Sequence, residues 1–372
     1  MVHDVWVEVD LAALRHNLAQ VRSAVGKTTR VMAVVKGNGF GHGGVEPARA
    51  FAEAGADALA VTRLEEALPI RAAGIASTIL LFAPIQPENA EAALNADLDL
   101  SICSAGLAQA ISAAAERAGK TARVWIKVDT GMGRLGVLPD EAPALLAAMH
   151  NLPSMQIAGI YTHFATAGDA DLAPTRAQLG RFGNLLHSLR ADGADYGLAS
   201  AANSAAMLRL PESHLDMVRP GTILYGQYPS SHVPHSLDLK PTWKLKARVC
   251  EVRELPKGSR IGYGGEFVTT RSTKTAVVPI GYADGFTLVY EGQVYRQSVL
   301  KFAVNKARRS LSVEIRGRRA PVLGRVAMQM TVIDVTDIGG VRAGDEVIIP
   351  ALRIPTSPLI PRVYVDSGAQ AS

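Results

Sequence analysis

Lys36 has the sequence context of a lysine whose amine could react with a carbonyl group. It follows the run Val31-Met-Ala-Val-Val and precedes a glycine-rich stretch, Gly37–Gly43. An amine held among apolar residues loses hydration of its charged form, so its pKa falls and the neutral, nucleophilic form gains. Lys36 is therefore a candidate for Schiff-base chemistry. Taken alone, the position is better explained by a lysine that extends from a strand end towards solvent.

A second run brings Lys127, Asp129 and Arg134 together within eight residues. The glycines of Lys127–Gly136 also match the GxGxxG spacing of dinucleotide-binding loops. That motif belongs after the first strand of its domain and needs an acid about 20 residues later to hold a ribose. Here the preceding apolar run is the fifth in the chain, and no acid lies at that distance. The sequence therefore argues against a dinucleotide site.

The elements that must position these residues are apolar, β-branched runs that recur along the first 230 residues. Alanine-rich stretches with helical spacing, such as Ala105–Ala118, separate them. This pattern is typical of a parallel sheet covered on its outer faces. Eight such units in about 200 residues are the number that closes a (β/α)8 TIM-type barrel. The runs are Val31–Lys36, Ala58–Thr62, Thr78–Phe82, Leu98–Cys103, Arg123–Asp129, Gln156–Phe164, Tyr196–Ser200 and Met217–Leu224.

Polar residues stand at the carboxyl ends of the later runs, where barrel enzymes have their active sites. The sixth run ends at His163, and such a histidine is more often a hydrogen-bonded core residue than a catalyst. Small residues with hydrogen-bond donors follow the seventh and eighth runs: Asn203, Ser204, Gly221 and Thr222. They suit a phosphate held on backbone N–H groups. A lysine amine across the barrel mouth from a phosphate is the layout that pyridoxal phosphate (PLP) needs.

From about Leu237 the pattern changes to short alternating runs separated by Pro-Lys-Gly, Gly-Gly and Ala-Gly-Asp turns. This predicts a C-terminal, mainly antiparallel β domain. We expect a PLP-binding barrel over residues 1–235, with residues 1–12 joining the second domain, and the β domain over residues 236–372. The expected strands of the β domain are Leu245–Val252, Ala276–Ile280, Ser312–Ile315, Gln329–Val335 and Glu346–Ile349.

Composition excludes several classes of protein. The 372 residues correspond to two or three domains, and 48% apolar against 20% charged residues excludes a disordered chain or a coiled coil. No apolar run reaches the ~18 residues of a membrane span, and the acids in residues 1–10 do not fit a signal peptide. Cys103 and Cys250 form neither a disulfide framework nor a metal cluster. We therefore expect a cytoplasmic protein without a bound metal.

The net charge of +5 is concentrated in one segment. Between Lys301 and Arg319 seven basic residues stand against one acid, so this segment carries +6 and the other 353 residues carry −1. A solvated hairpin explains such a segment better than a nucleic-acid site, and its role stays open.

The stretch Lys36-Gly-Asn-Gly-Phe-Gly-His-Gly43 resembles the lysine motif of alanine racemases. The family's fold, a PLP-binding barrel followed by a β domain, agrees with the architecture inferred above. The resemblance implies interconversion of L- and D-alanine, which supplies D-alanine for cell-wall synthesis. The other matching stretches are Trp6–Asn17, Lys127–Gly136, Tyr161–Thr166, Ala202–Ala205, Val218–Gly226, Gly262–Gly264, Gly281–Gly285, Gly324–Met328 and Pro361–Tyr364.

The resemblance also implies a two-base mechanism. Lys36 binds PLP as a Schiff base and serves as the base on one face of Cα, while Tyr263 from the other subunit of a head-to-tail homodimer serves the opposite face. A tyrosine pKa is ordinarily near 10, so it must be tuned, and His163 does this by linking Tyr263 to Arg219. Arg219 at the pyridine nitrogen cannot donate a full proton, which disfavours transamination.

Further roles follow from the same resemblance. Tyr282 binds the phosphate together with the small residues that follow the seventh and eighth runs. Arg134 binds the substrate carboxylate, and the backbone of Met328 lies close to the same group. Lys127 resembles the lysine that carries a carbamate and holds the arginine. The alternative for Lys127 is a surface-facing strand lysine. Tyr225, also in a family motif, is expected to pack.

The sequence departs from the family pattern at several positions. Phe40 stands where a tyrosine usually reaches the phosphate, and Gln329 stands where an aspartate is usual. The segment between Gly285 and Gly324 is longer than the family norm. The tyrosine that normally gates the pocket has no evident counterpart, because Tyr364 comes too late in the chain. Serine or another small amino acid therefore stays open as the substrate.

Two other functions compete with alanine racemisation. A PLP amino-acid decarboxylase of the same fold needs a cysteine and an acid in the second domain, and Cys250 with Glu251 lacks the expected setting. A PLP carrier without turnover is typically a barrel alone, whereas this chain has a second domain that contains Tyr263.

Overall fold

The computed structural model describes residues 2–288 and 311–367. Within them the chain divides into two compact units. The barrel unit comprises Asp10–Thr242, and the second unit joins residues 2–9 to Trp243–Val365. The first strand of the chain, Val5–Asp10, therefore belongs to a sheet whose other strands all come from the C-terminal part.

The barrel unit is a closed ring of eight parallel strands, which confirms the predicted fold class. Closure occurs where the first barrel strand pairs with the last, at Val31 and Val218. Each of the eight predicted apolar runs contributes one strand. The barrel strands are Arg30–Val34, Ala58–Val61, Ile79–Leu81, Asp99–Ile102, Ala122–Lys127, Met155–Tyr161, Leu198–Asn203 and Met217–Arg219.

Helices follow the strands and cover the ring. The predicted helix Ala105–Ala118 begins where the Ser104 hydroxyl accepts a hydrogen bond from the Leu107 N–H (3.3 Å) and ends at Gly119 in a left-handed conformation. These are the usual start and stop signals of a helix. The helices are Leu11–Val25, Val45–Glu53, Leu64–Ala72, Ala90–Asn95, Ala105–Ala118, Ala142–His150, Ala173–Ala191 and Ser204–Arg209. Short 3-10 turns lie at Pro87–Asn89, Pro211–Ser213, Thr222–Tyr225, Tyr263–Gly265 and Tyr282–Asp284.

Side chains of the strands fill the inside of the ring. Trp125 and Tyr161 are buried there with Met32 and Leu80. Gly159 makes room for the indole, since a Cβ at this position would lie 2.3 Å from Trp125 Cζ3. Interdigitated side chains of this kind make the barrel a packed core rather than a pore.

The second unit consists of antiparallel sheets, as predicted, but one expected strand is wrong. The run Leu245–Val252 is divided between Trp243–Arg248 in a six-stranded sheet and Glu251–Leu255 in a three-stranded sheet. Leu245, Ala247 and Val249 alternate with polar residues, but the alternation shifts by one position between Val249 and Cys250, close to where the chain leaves the first sheet. In sheet order, the strands are Arg318–Pro321, Ser312–Ile315, Glu346–Ile349, Trp243–Arg248, Val5–Asp10 and Arg362–Val365; Glu251–Leu255, Thr273–Val278 and Thr331–Asp334; and Arg260–Ile261 with Phe267–Val268.

The described part of the basic segment is a hairpin. Ser312–Ile315 pairs with Arg318–Pro321, and Arg316 at the turn forms an ion pair with Asp345 (3.0 Å). The remaining basic residues, Lys301, Lys306, Arg308 and Arg309, lie outside the described residues. In the part of the chain that is described, no helix has both the length and the apolar character needed to cross a bilayer.

Candidate active site

A cavity of about 280 Å³ lies in the barrel unit at the carboxyl ends of the strands. Val34, Phe40 and Phe82 form part of its apolar wall. Seven residues singled out from the sequence line it together, although almost 190 positions separate the first from the last: Lys36, His163, Asn203, Ser204, Arg219, Gly221 and Thr222.

The cavity lysine is the first residue of an unusual turn. Gly37, Asn38, Gly39 and Phe40 all have φ between +52° and +63°, so the chain makes one left-handed helical turn directly after Lys36. Glycine adopts this conformation without strain, whereas it costs an L-residue such as phenylalanine about 1–2 kcal/mol. The glycine spacing of the motif is therefore explained by the turn that follows the lysine.

The environment of Lys36 favours a neutral amine. Burial lowers its pKa, nearby Arg134 and Arg219 lower it further, and Glu66 opposes them. The side chain is half-buried, and Nζ lies 6.0 Å from the centroid of the Phe82 ring. This matches the electronic requirement for Schiff-base formation that the sequence indicated.

Arg219 is held rigidly at the end of the eighth barrel strand. Its guanidinium donates hydrogen bonds to the Ser200 hydroxyl and to the carbonyl oxygens of Thr162 and Ala201. The group also lies over the ring of Tyr161, 5.1 Å from the centroid. Burial lowers its pKa to about 10, so the guanidinium stays charged at neutral pH.

His163 is a neutral imidazole at physiological pH. Burial lowers its pKa to about 3, and the positive charges of Arg219 and Lys36 act in the same direction. The backbone carbonyl of His163 accepts a hydrogen bond from Gln178 Nε2 (3.2 Å), which anchors the end of the sixth strand. A neutral ring can accept one hydrogen bond and donate another, which a cationic ring cannot do.

The small residues after the seventh and eighth strands form one interlocked corner. Asn203 Oδ1 accepts hydrogen bonds from two N–H groups of the following helical turn (3.1 and 3.0 Å), and Ser204 Oγ accepts one from the Gly221 N–H (2.9 Å). A Cβ at Gly221 would lie 2.9 Å from Phe40 Cζ. Glycine at this position therefore keeps the corner open for close approach of a ligand to the backbone.

Lys127 is buried at the end of the fifth strand. Its Nζ donates a hydrogen bond to the Val128 carbonyl (2.8 Å). Burial lowers its pKa to about 8, and the charge of Arg219 contributes. The alternative of a surface-facing strand lysine is therefore wrong.

Two carboxylates to which the sequence analysis gave no role shape the loops of the site. Asp129 accepts hydrogen bonds from the N–H groups of residues 131 to 133 (2.9, 2.8 and 3.2 Å) and of Arg134 (3.1 Å). Burial opposes ionisation, but these four bonds keep the pKa of Asp129 below its ordinary value. Glu66 is the second such acid and contacts the turn after Lys36. An acid two residues before a Gly-x-Gly stretch was the available signal for Asp129; Glu66 had none.

The predicted residues of the C-terminal part converge within the second unit. A Cβ at Gly281 would lie 2.3 Å from the Met328 carbonyl oxygen, and the Ala327 carbonyl accepts a hydrogen bond from the Tyr282 N–H (3.1 Å). A Cβ at Gly324 would lie 2.8 Å from the carbonyl oxygen of residue 261, beside the Tyr263 turn. Tyr263, Tyr282 and Met328 are 73%, 48% and 58% exposed. None of the three is among the residues that line the barrel cavity.

Comparison with known proteins accounts for both units. Residues 9–229 match the model of the alanine racemase N-terminal domain, and residues 242–357 match that of the C-terminal domain. The chain belongs to the alanine racemase family.

Individual alanine racemases match over almost the whole chain. The one from Methanococcus maripaludis is 41% identical, over 93% of this chain and 89% of its own length. The one from Desulforamulus reducens is 42% identical, over 94% and 90%. The solved structure of the alanine racemase from Clostridium difficile 630 superimposes with a TM-score of 0.89 at 29% identity, covering 99% of this chain and 97% of that one.

The departures from the alanine racemase pattern have structural consequences. Phe40 packs against Tyr225, with ring centroids 4.8 Å apart, and brings no hydroxyl to the cavity. Tyr225 is itself buried, and its hydroxyl donates a hydrogen bond to the Val34 carbonyl (3.1 Å). Tyr364 lies in the strand Arg362–Val365, at an edge of the six-stranded sheet of the second unit.

Proposed function

We propose that this protein interconverts L- and D-alanine with PLP bound through the amine of Lys36. The observation that carries the proposal is the cavity in which that lysine faces Arg219 and the Ser204–Gly221 corner. It occurs in a chain about 40% identical to several alanine racemases. We place the reaction in the cytoplasm and its product, D-alanine, in the supply for cell-wall synthesis.

The residues of the cavity fit PLP. Arg219 supplies a lasting positive charge, Lys36 supplies an amine that can be neutral, and Gly221 leaves the backbone accessible. We assign the phosphate to Asn203, Ser204, Gly221 and Thr222, with Tyr282 as a further contact. When bound, PLP supplies an electron sink that makes the α-proton of an attached amino acid acidic.

Lys36 and Arg219 have different roles in the barrel unit, since Lys36 transfers a proton and Arg219 holds the cofactor. The lowered pKa of Lys36 lets Nζ take a proton from Cα or return one on one face of the substrate. Arg219 stays charged and is fixed by three hydrogen bonds, so it would offer a hydrogen bond, and no full proton, to the pyridine nitrogen of PLP. A cofactor held in this way would disfavour transamination.

We assign the opposite face to the partner subunit's Tyr263 in a head-to-tail homodimer. Its exposure in the second unit leaves the phenol accessible to another copy of the chain. We assign to His163 the task of preparing this phenol for proton transfer. Because His163 is neutral, it can accept a hydrogen bond from Arg219 and donate one to a phenolate.

The substrate carboxylate is assigned to Arg134 and to the backbone at Met328. We propose that Lys127 carries a carbamate that pairs with Arg134. Its pKa of about 8 gives a neutral fraction able to add CO2, and the resulting anion replaces a cation close to two arginines.

The proposal is tested by incubating the protein with PLP and L-alanine in deuterium oxide. D-alanine that carries an α-deuterium supports racemisation, whereas release of CO2 or an inert substrate contradicts it. L-serine in parallel tests whether Phe40 and the absent gate tyrosine widen the specificity. Borohydride reduction followed by peptide mapping should place the pyridoxyl group on Lys36, with the exposed Lys27 as the unmodified control.

A further inference from the structure

A carboxylate from the helix after the second barrel strand is bonded to the turn that begins at the cavity lysine. Glu66 Oε1 accepts hydrogen bonds from the N–H groups of Gly37 (2.5 Å) and Asn38 (3.4 Å), and Oε2 accepts from those of Thr62 (2.9 Å) and Arg63 (3.1 Å). We propose that Glu66 is a positioning residue, which ties Lys36 to the end of the neighbouring barrel strand and so determines where its amine enters the cavity.

Helix capping accounts for only half of these contacts. Oε2 satisfies the N–H groups at the start of the helix Leu64–Ala72, the usual task of a glutamate at this position. Oε1 does nothing for that helix. It reaches a different strand end, 29 residues earlier in the chain, and contacts the two N–H groups that follow Lys36. The carboxylate is thus a bridge between two strand ends.

The turn after Lys36 needs an anchor of this kind. In any helical turn the first N–H groups have no acceptor within the turn, and here they belong to Gly37 and Asn38. The later groups are used internally, for example by the bond from the Gly41 N–H to the Gly37 carbonyl (3.0 Å). The far end is held by His42, whose Nδ1 lies 3.0 Å from the Gly39 carbonyl oxygen. Glu66 and His42 together fasten a left-handed conformation that L-residues do not favour.

The carboxylate also acts on the charge of the amine. Three charged groups influence Lys36: Arg134 and Arg219 lower its pKa in addition to burial, and Glu66 raises it. Glu66 is therefore placed both to orient the lysine and to moderate the neutral fraction of its amine.

This role rests on the proposed function of Lys36, so the first test uses neither coenzyme nor substrate. Hydrogen exchange in the full chain should show the Gly37 and Asn38 amides exchanging about tenfold faster in Glu66→Ala, because a charge-assisted bond has been lost. Gly37 and Asn38 are exposed residues, so water can replace the carboxylate there, and the Tm should fall only by the small amount that loss of the capping bonds to Thr62 and Arg63 costs. Glu65→Ala, on the same helix and exposed, is the matched control and should leave both amides unchanged.

The second test measures how fast Lys36 captures added PLP, read as the pyridoxyl-Lys36 peptide after borohydride reduction. We expect Glu66→Ala to slow capture about tenfold and Glu66→Gln to lie between it and the parent, because the amide oxygen can still accept bonds from one strand end. Parental exchange and capture rates in both variants would overturn the proposal. So would losses that only parallel a fall in Tm, which indicate a purely structural role. If neither the parent nor any variant captures PLP, the proposed function is contradicted. The hydrogen-exchange rates of Gly37 and Asn38 still test the role of Glu66 in that case.

Discussion

Lys127 and Arg219 share one aromatic ring. The ammonium of Lys127 lies 5.3 Å and the guanidinium of Arg219 5.1 Å from the centroid of the Tyr161 ring. The ring face attracts both cations, which compensates part of their mutual repulsion in a buried place. The weaker acid of the two, Arg219, keeps its proton, and the pKa of Lys127 falls to about 8. The guanidinium of Arg219 therefore stays charged near neutral pH, whereas the neighbouring amine of Lys127 can lose its proton.

The first prediction concerns stability against pH in CO2-free buffer. The pKa of Lys127 is about 8 in the folded protein and 10.5 in the unfolded chain. Below pH 8 both states hold the proton and burial of the charge has its full cost. Between pH 8 and 10.5 only the unfolded state stays protonated, so this group makes the free energy of unfolding rise with pH, by about 3 kcal/mol. The free energies of unfolding of the parent and of Lys127→Met, measured by urea denaturation, should therefore approach each other between pH 8 and 10.5. A difference between the two proteins that stays constant with pH would contradict the lowered pKa of Lys127.

The second prediction concerns the carbamate. With ¹³C-labelled bicarbonate, the parent should give a carbamate carbon signal that is absent in Lys127→Ala. Formation should fall off at low pH, because the protonated amine cannot add CO2. The exposed lysine variant Lys27→Ala should retain the signal. A signal that survives removal of Lys127 would place the modification elsewhere.

The third prediction tests the proposal that each active site is formed by two subunits. Lys36→Ala and Tyr263→Phe should each lose most racemisation, yet a mixture of the two should recover up to about one quarter of the parental activity. Half of randomly assembled dimers are mixed, and one of their two sites then combines an intact Lys36 with the partner subunit's Tyr263. Tyr263→Phe alone should still bind PLP, which its absorbance reports. No recovery on mixing, with dimer exchange shown by native mass spectrometry, would place both residues in the same subunit.

The fourth prediction concerns the loop that presents Arg134. In Asp129→Asn the side-chain nitrogen cannot accept the Arg134 N–H, so the loop should lose its order and KM for alanine should rise about tenfold. The kcat should change less, because Lys36 and Arg219 are untouched. Asp140→Asn, at an exposed acid eleven residues after Asp129, provides the control. An unchanged KM would separate Asp129 from substrate binding.

Sequence patterns were sufficient for the elements that depend on local burial. A strand buried on both faces must be apolar throughout, so runs such as Val31–Lys36 identified the eight barrel strands. A helix with cap residues at both ends, Ala105–Ala118, had the predicted bounds. The polar residues that end these strands stood out against the apolar runs. Because active sites of barrel enzymes lie at the carboxyl ends of the strands, Lys36, His163 and Arg219 were expected at the same end of the barrel.

Long-range geometry decided the rest. The glycine-rich stretch after Lys36 was visible in the sequence, but only the folded chain shows a left-handed turn held by Glu66, because no local pattern tells which carboxylate will meet N–H groups 28 and 29 residues away. The shift of alternation within Leu245–Val252 marks a break, but it does not tell which strands each half pairs with. Periodicity along a chain reports which side of an element is buried; the partners that an element or a charge meets are determined by the packing of the whole domain.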